Sequence, residues 1–219
     1  MLLSLGAAAG AVARFNRGAA AQRGLGGAVR TTIGAAPEGQ RVHLIGAIAD
    51  GERLEAPVSR RPCVYYALTV EIDEGRITHR IDLDRQAVPF VVSDGTGRAL
   101  IEAAGAELEI DAGRRTGVLE PAQLAEAAGP LAMVRDRFGA RRVRYREVAL
   151  EIGATVAVIG TAVREPDPTA VRDVTGYRAG PPTRLRLGRS EAHALWISDA
   201  ADALRAPAPA AEPTGDPAR

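Results

Sequence analysis

A mainly β domain, OB-like or otherwise a closed barrel with one or two short helices, is what the sequence predicts, and three observations predict it. Short runs rich in β-branched, aromatic and alternating residues recur at 41–49, 63–72, 77–83, 89–92, 98–103, 143–152, 154–163, 185–187 and 194–197. Glycine, proline and aspartate punctuate them, most clearly at Asp94-Gly95-Thr96-Gly97, the composition of a hairpin turn. Only the window 121–138 carries apolar residues at helical spacing, through Leu124, Ala128, Leu131 and Val134. A two-sheet sandwich meets the same pattern and stands as the alternative.

Taken in order, residues 1–15 form an apolar run of about fourteen positions, short of the roughly 20 that span a bilayer. Arg14, Arg17, Arg23 and Arg30 follow it, the order expected of a helix whose downstream side is cytoplasmic. A shortened anchor and an amphipathic leader are both open readings of this stub. The Ala/Gly/Arg-rich stretch up to residue 40 reads as a linker, and the domain is expected over 41–204. Within it, 77–83 can return as a hairpin partner of 63–72, and Gly129-Pro130 splits the helical window into two short helices, with Pro121 suited to the first turn. The runs at 143–152 and 154–163 read as a hairpin across Gly153. Four prolines make 164–183 a long surface loop, Ser198-Asp199 opens a short helix, and the Pro/Ala tail over 205–219 reads as disordered.

Composition excludes several chemistries. All 28 basic residues are arginine, so Schiff-base lysines and the lysine of a phosphate-binding P-loop are absent. One cysteine, Cys63, excludes an internal disulfide framework and a cysteine zinc site, and His43, His79 and His193 lack metal-ligand spacing. No cofactor is expected. A net charge of +1 provides no global field toward nucleic acid or an anionic membrane.

Several local groupings suggest function. Asp94-Gly95-Thr96-Gly97 resembles an aspartic-protease triplet only superficially, because Gly95 interrupts it and no second copy exists; a structural turn explains it. Arg135, Arg137, Arg141, Arg142, Arg144 and Arg146 crowd twelve positions. On a strand, Arg142, Arg144 and Arg146 share one face while Val143 and Tyr145 share the other. That stripe, with Arg60 and Arg61, is the candidate partner-binding set, against a plain reading as a solvated, salt-bridged face. An aromatic content of 4% is poor in stacking platforms, which makes nucleic acid the lesser partner. Cys63, beside Arg60 and Arg61, fits a buried structural thiol better than a reactive one. Tyr65 and Tyr66 point to opposite faces, one toward the core and one near the surface.

Read as an ordered set, these segments resemble a known family. The set runs 56–66 (Ala-Pro-Val-Ser-Arg-Arg-Pro-Cys-Val-Tyr-Tyr), 89–99 around Phe90, Asp94, Gly95 and Gly97, Arg144-Tyr145-Arg146-Glu147, Gly153, 156–160 ending at Gly160, and Trp196-Ile197-Ser198-Asp199. It resembles the GIDE domain, also called BAM for "beside a membrane", found in mitochondrial RING-type E3 ubiquitin ligases and in bacterial proteins. The resemblance implies a bacterial member placed on the cytoplasmic side of a membrane, or otherwise in the cytoplasm. It marks Pro57, Cys63, Tyr65, Tyr66, Phe90, Asp94, Gly95, Gly97, Tyr145, Glu147, Gly153, Gly160, Ser198 and Asp199 as fold-bearing. One cysteine does not make a RING, so ubiquitin transfer is not expected of this chain. The expected function is a non-catalytic interaction or scaffolding domain at a bacterial membrane surface, binding a protein or lipid partner, with nucleic-acid binding through 135–146 as the alternative and the oligomeric state open.

Overall fold

The computed structural model describes residues 27–111, 113–167, 183–190 and 193–205. The apolar stub, most of the proline-rich loop and the Pro/Ala tail lie outside the described residues. Five strands close a barrel: β2 (Arg41–Gly51), β7 (Phe90–Ser93), β8 (Arg98–Ile101), β13 (Thr183–Gly188) and β12 (Thr155–Pro166), which returns to β2. Every pairing is antiparallel except that between β8 and β13. The last strand thus slots between the third and fourth, the OB-like order predicted. The sandwich alternative is not what forms.

Period-two alternation explains the closure. Leu44 and Ile48, Phe90 and Val92, Ala99 and Ile101, Val156 and Val158, and Leu185 and Leu187 all turn into one core. Glycine lets the strands approach: a Cβ on Gly46 would lie 2.6 Å from the Ser93 carbonyl oxygen. The linker expected ahead of residue 41 also participates. β1 (Val29–Arg30) pairs in parallel with β2, and Ile33 and Ala36 are buried in the barrel core.

A second sheet is built largely from what the first and third barrel connections insert. β5 (Tyr65–Glu74) and β6 (Ile77–Ala87) form the expected hairpin, and β11 (Val143–Leu150) and β10 (Arg115–Leu119) extend it in the order β10-β11-β5-β6. Two short helices, α1 (Pro121–Ala125) and α2 (Pro130–Phe138), cover one face, and Gly129 separates them as predicted. Leu124, Leu131 and Val134 close a small core with Leu68, Val70, Ile72 and Val143. β3 (Leu54–Glu55) and β4 (Pro62–Cys63) frame the turn before β5. β9 (Glu107–Glu109) and β14 (Trp196–Ser198) add to the β12 side of the barrel, and α3 (Ala201–Arg205) packs there through Ala203 against Ala157, Ile159 and Trp196.

Two expectations are corrected. The runs around Gly153 are not a hairpin: β11 pairs with β5 and β10, whereas β12 pairs with β2, β13 and β14. Gly153 has φ +90°, and its N–H donates to the Ile48 carbonyl, which hands the chain from one sheet to the other. Burial is the physical reason, since Val148–Leu150 and Val156–Ile159 are buried on both faces and each strand needs neighbours on two sides. The second correction concerns Tyr65 and Tyr66, which do face opposite ways but are both 4% exposed. The start of β5 lies between the barrel core, which takes Tyr65, and a small cluster of Ala56, Cys63 and Ala149, which takes Tyr66.

Candidate interaction face

Each motif residue from the sequence has a structural occupation. Asp94 Oδ1 accepts from the N–H groups of Thr96 and Gly97 and from the Thr96 hydroxyl, while Oδ2 accepts from the Ile33 N–H at 2.7 Å. Thr96 Oγ1 in turn accepts from the Gly34 N–H at 3.0 Å. The turn, with Gly95 at φ +86°, therefore both joins β7 to β8 and fastens the incoming segment across the barrel. Burial works to raise the Asp94 pKa, but these donors outweigh it and hold the carboxyl below its ordinary value of 3.8.

A depressed carboxyl stabilises the fold above its unfolded pKa, and that contribution disappears as pH falls through the folded value. Asp94→Ala, which strands those N–H groups, is expected to lower the unfolding free energy by about 1–3 kcal/mol at neutral pH. In urea titrations the variant should show a shallower loss of stability than wild type below pH 3.8. Parallel curves would contradict this role for Asp94.

Glu147 is fully buried, and its Oε2 accepts from the Val58 and Ser59 N–H groups at 2.8 and 3.2 Å. Arg61 lies 3.7 Å from Oε1 and bonds Ser59 Oγ, Glu151 and the Gly113 carbonyl. Pro57 belongs to the turn so held, in which Arg60 takes φ +58° and pairs with Glu55. Cys63 is buried, and desolvation followed by the charge of Glu147 pushes its thiol up to about 11. Burial and the 2.6 Å bond from its hydroxyl to Asp84 raise the Tyr66 phenol well above its usual range. Phe90 fills the barrel core, and Tyr145 leans on Gly117 within the helix-covered core. Gly160 leaves room for Leu195, Ser198 Oγ accepts from the Ala200 N–H before α3, and Asp199 Oδ1 accepts from the Asp111 N–H.

The arginines proposed as a partner-binding set fall in two separate places. Arg144 and Arg146 do share the open face of the second sheet, and Val143 and Tyr145 the covered one, but Arg144 pairs with Glu71 and Asp73. Arg142 pairs with Glu120 and Arg141 with Glu74. Arg61 is 14% exposed and committed to the Glu147 turn. The arrangement is a mosaic of opposite charges and lacks the field of a phosphate-binding stripe.

A different surface is concave. On the outside of the barrel a shallow cavity of about 190 Å³ is lined by Asp50, Val91, Arg98, Leu100, Asp167 and Arg184. Strand register creates it: Asp50 stands opposite Val91 and Val91 opposite Leu100. Arg98 and Arg184 each precede the Ala99–Leu185 pair by one residue, so both point outward on neighbouring strands. Val91 and Leu100 are only half-buried, an apolar floor left open to solvent. Arg184 bonds Glu165, and Arg186 bonds Glu102 and Glu165, so the rim carries both signs. Such a face offers shape, apolar contact and charges of both signs. Sequence reading missed it, although half-buried apolar residues on the outward phase of β7 and β8 were its trace.

Among the described residues no group of three or more His, Cys, Asp or Glu could hold a metal, and no helix is long and apolar enough to cross a membrane. His43 lies under α3, away from the cavity, where burial and then Arg30 lower its pKa while the Ala203 carbonyl accepts from the ring.

No curated protein and no solved structure matches the chain. The family model GIDE, described as E3 ubiquitin ligase, matches residues 72–173, just under half of the chain. The matched range takes in the Asp94 turn, Arg144–Glu147, Gly153 and Gly160, while 56–66 and Trp196–Ser198 lie outside it. With its turn and strand motifs arranged in one folded unit and that model matched across the middle of it, residues 72–173 of the chain are similar to the GIDE domain.

Proposed function

We propose that this domain is a non-catalytic interaction module that works at a membrane surface and binds a polypeptide partner on the outer face of the barrel. The observation that carries the reading is the open floor of Val91 and Leu100 between Asp50, Arg98 and Arg184. A floor of this kind with balanced charge suits an amphipathic polypeptide better than a polyanion or an anionic lipid sheet, which would call for a single-sign field. Membrane proximity rests on the GIDE relationship and on the apolar stub followed by arginines at the start of the sequence.

Ubiquitin transfer, which the family description names, is not part of the proposal for this chain. Cys63 is its single cysteine, and a buried thiol pushed up to about 11 has neither the access nor the acidity for thioester exchange.

The test is proximity labelling in the native host with wild type, Leu100→Asp and Arg144→Ala, together with membrane fractionation. A partner set retained by Arg144→Ala and lost by Leu100→Asp supports the barrel face. An unchanged set with Leu100→Asp would sink that part of the proposal, and a fully soluble wild-type protein would sink the membrane part. Salt-sensitive oligonucleotide binding that fails in the Arg142, Arg144 and Arg146 to glutamine variant would favour the nucleic-acid reading instead.

A further inference from the structure

We propose that the outer edge of β6 pairs with a second copy of itself, antiparallel and centred on Ile81, joining two four-stranded sheets into one of eight. β6 has 11 residues and ends the order β10-β11-β5-β6, so among the described residues its only strand neighbour is β5. Its free side presents backbone donors and acceptors that another strand can satisfy. It contains no proline, and exposed residues alternate with half-buried ones over 78–82: Thr78, Arg80 and Asp82 are exposed, while His79 and Ile81 are half-buried toward α2. His79 lies 6.2 Å from the Phe138 ring, between ring centroids.

Charge selects both the partner and the register. In an antiparallel pair, residues directly opposite share a face, so a self-pairing that keeps the helix layers on one side must centre on a residue rather than between two. Centring on Arg80 sets two guanidinium groups against each other, and centring on Asp82 sets two carboxylates against each other; both are unfavourable. Centring on Ile81 sets Arg80 opposite the partner's Asp82 twice over, with Ile81 on the two-fold axis. Asp82 already accepts from Thr69 Oγ1 through one oxygen and keeps lone pairs for a guanidinium. Such an interface is isologous, and it closes at two copies.

The same strand limits its own reach. Leu68 faces Asp84 and Thr69 faces Asp82, which leaves Leu83 as a bulge residue. The bulge bends the edge just beyond Asp82 and confines pairing to the few residues around Ile81. A short, reversible dimer is therefore expected, of the small-interface kind.

Sedimentation velocity across a concentration series, combined with mild oxidation of cysteine variants, tests this with the full chain. Wild type should show a concentration-dependent dimer. Ile81→Cys should crosslink to itself, while Thr78→Cys, which the register places opposite Asp84, should not; Cys63 is buried and serves as a silent background. Arg80→Asp should weaken the dimer about tenfold, and the double change Arg80→Asp with Asp82→Arg should restore it. Thermal melting of these exposed-position variants checks that the fold is kept. A chain that stays monomeric throughout, a dimer indifferent to Arg80→Asp, or equal crosslinking through Thr78→Cys would each overturn the proposal, and the first would leave the edge to a strand of a different protein.

Discussion

Replacing Glu147 with alanine is expected to remove about 3–5 kcal/mol of unfolding free energy, the scale found when one partner of a buried charged pair is deleted. The side chain is fully buried and holds two backbone N–H groups of the turn between β3 and β4, with Arg61 against its other oxygen. Alanine strands the Val58 and Ser59 N–H groups in a site that water reaches poorly and takes the carboxylate from beside Arg61, which keeps its bonds to Ser59, Glu151 and Gly113. A domain of ordinary stability has about 5–15 kcal/mol in total, so the variant sits near the threshold of folding. Glu147→Gln keeps an acceptor for Val58 and Ser59 and should lose less, about 1–2 kcal/mol. Arg144→Ala, whose ion pairs to Glu71 and Asp73 are half-exposed, should change stability by no more than about 1 kcal/mol. Urea denaturation of the three variants gives the ranking directly, and a Glu147→Ala midpoint equal to that of Arg144→Ala would refute the clamp.

Phe90→Ala should cost about 3–5 kcal/mol by a different mechanism. Phe90 has no exposed surface and fills the barrel core from β7, facing residues of the other barrel strands. Truncation opens a cavity that five mutually bonded strands cannot collapse into without breaking register. Phe90→Leu keeps most of the volume and should lose clearly less, which preserves a readable result if the alanine variant does not fold. The same thermal or urea titration decides: equal stabilities for the leucine variant, the alanine variant and wild type would show that the barrel core does not depend on this ring.

Much of the fold was legible because its signals are local. The period-two runs placed most of the longer strands, the Asp94 turn joined β7 to β8, and Gly129-Pro130 divided the helical window into α1 and α2. These features depend on residues a few positions apart, where side-chain alternation and φ preference act directly. The arginine stripe was legible too, as a face of alternate residues. The salt-bridged reading of that face was open from the sequence, but its partners were not, because Glu71, Asp73 and Glu120 reach those arginines from elsewhere in the chain. Gly153 misled for a related reason: two strand-like runs flanking a glycine look like a hairpin locally, and only the choice of long-range neighbours separates a hairpin from a corner between sheets.

The sequence by itself determined the class of the fold, the hairpins β5–β6 and β7–β8, the absence of lysine chemistry and the poor standing of Cys63 as a nucleophile, since each depends on composition or short spacing. Tertiary structure alone decided that Glu147 is a buried clamp, that Tyr65 and Tyr66 are both covered, and that Val91, Leu100, Arg98 and Arg184 meet on one concave face. It also left β6 at the edge of its sheet among the described residues. The physical reason is common to all four. Burial and strand adjacency are set by which distant segments close the barrel and by which strands the second sheet contains, and a pattern with period two says which residues share a face without saying what that face will meet.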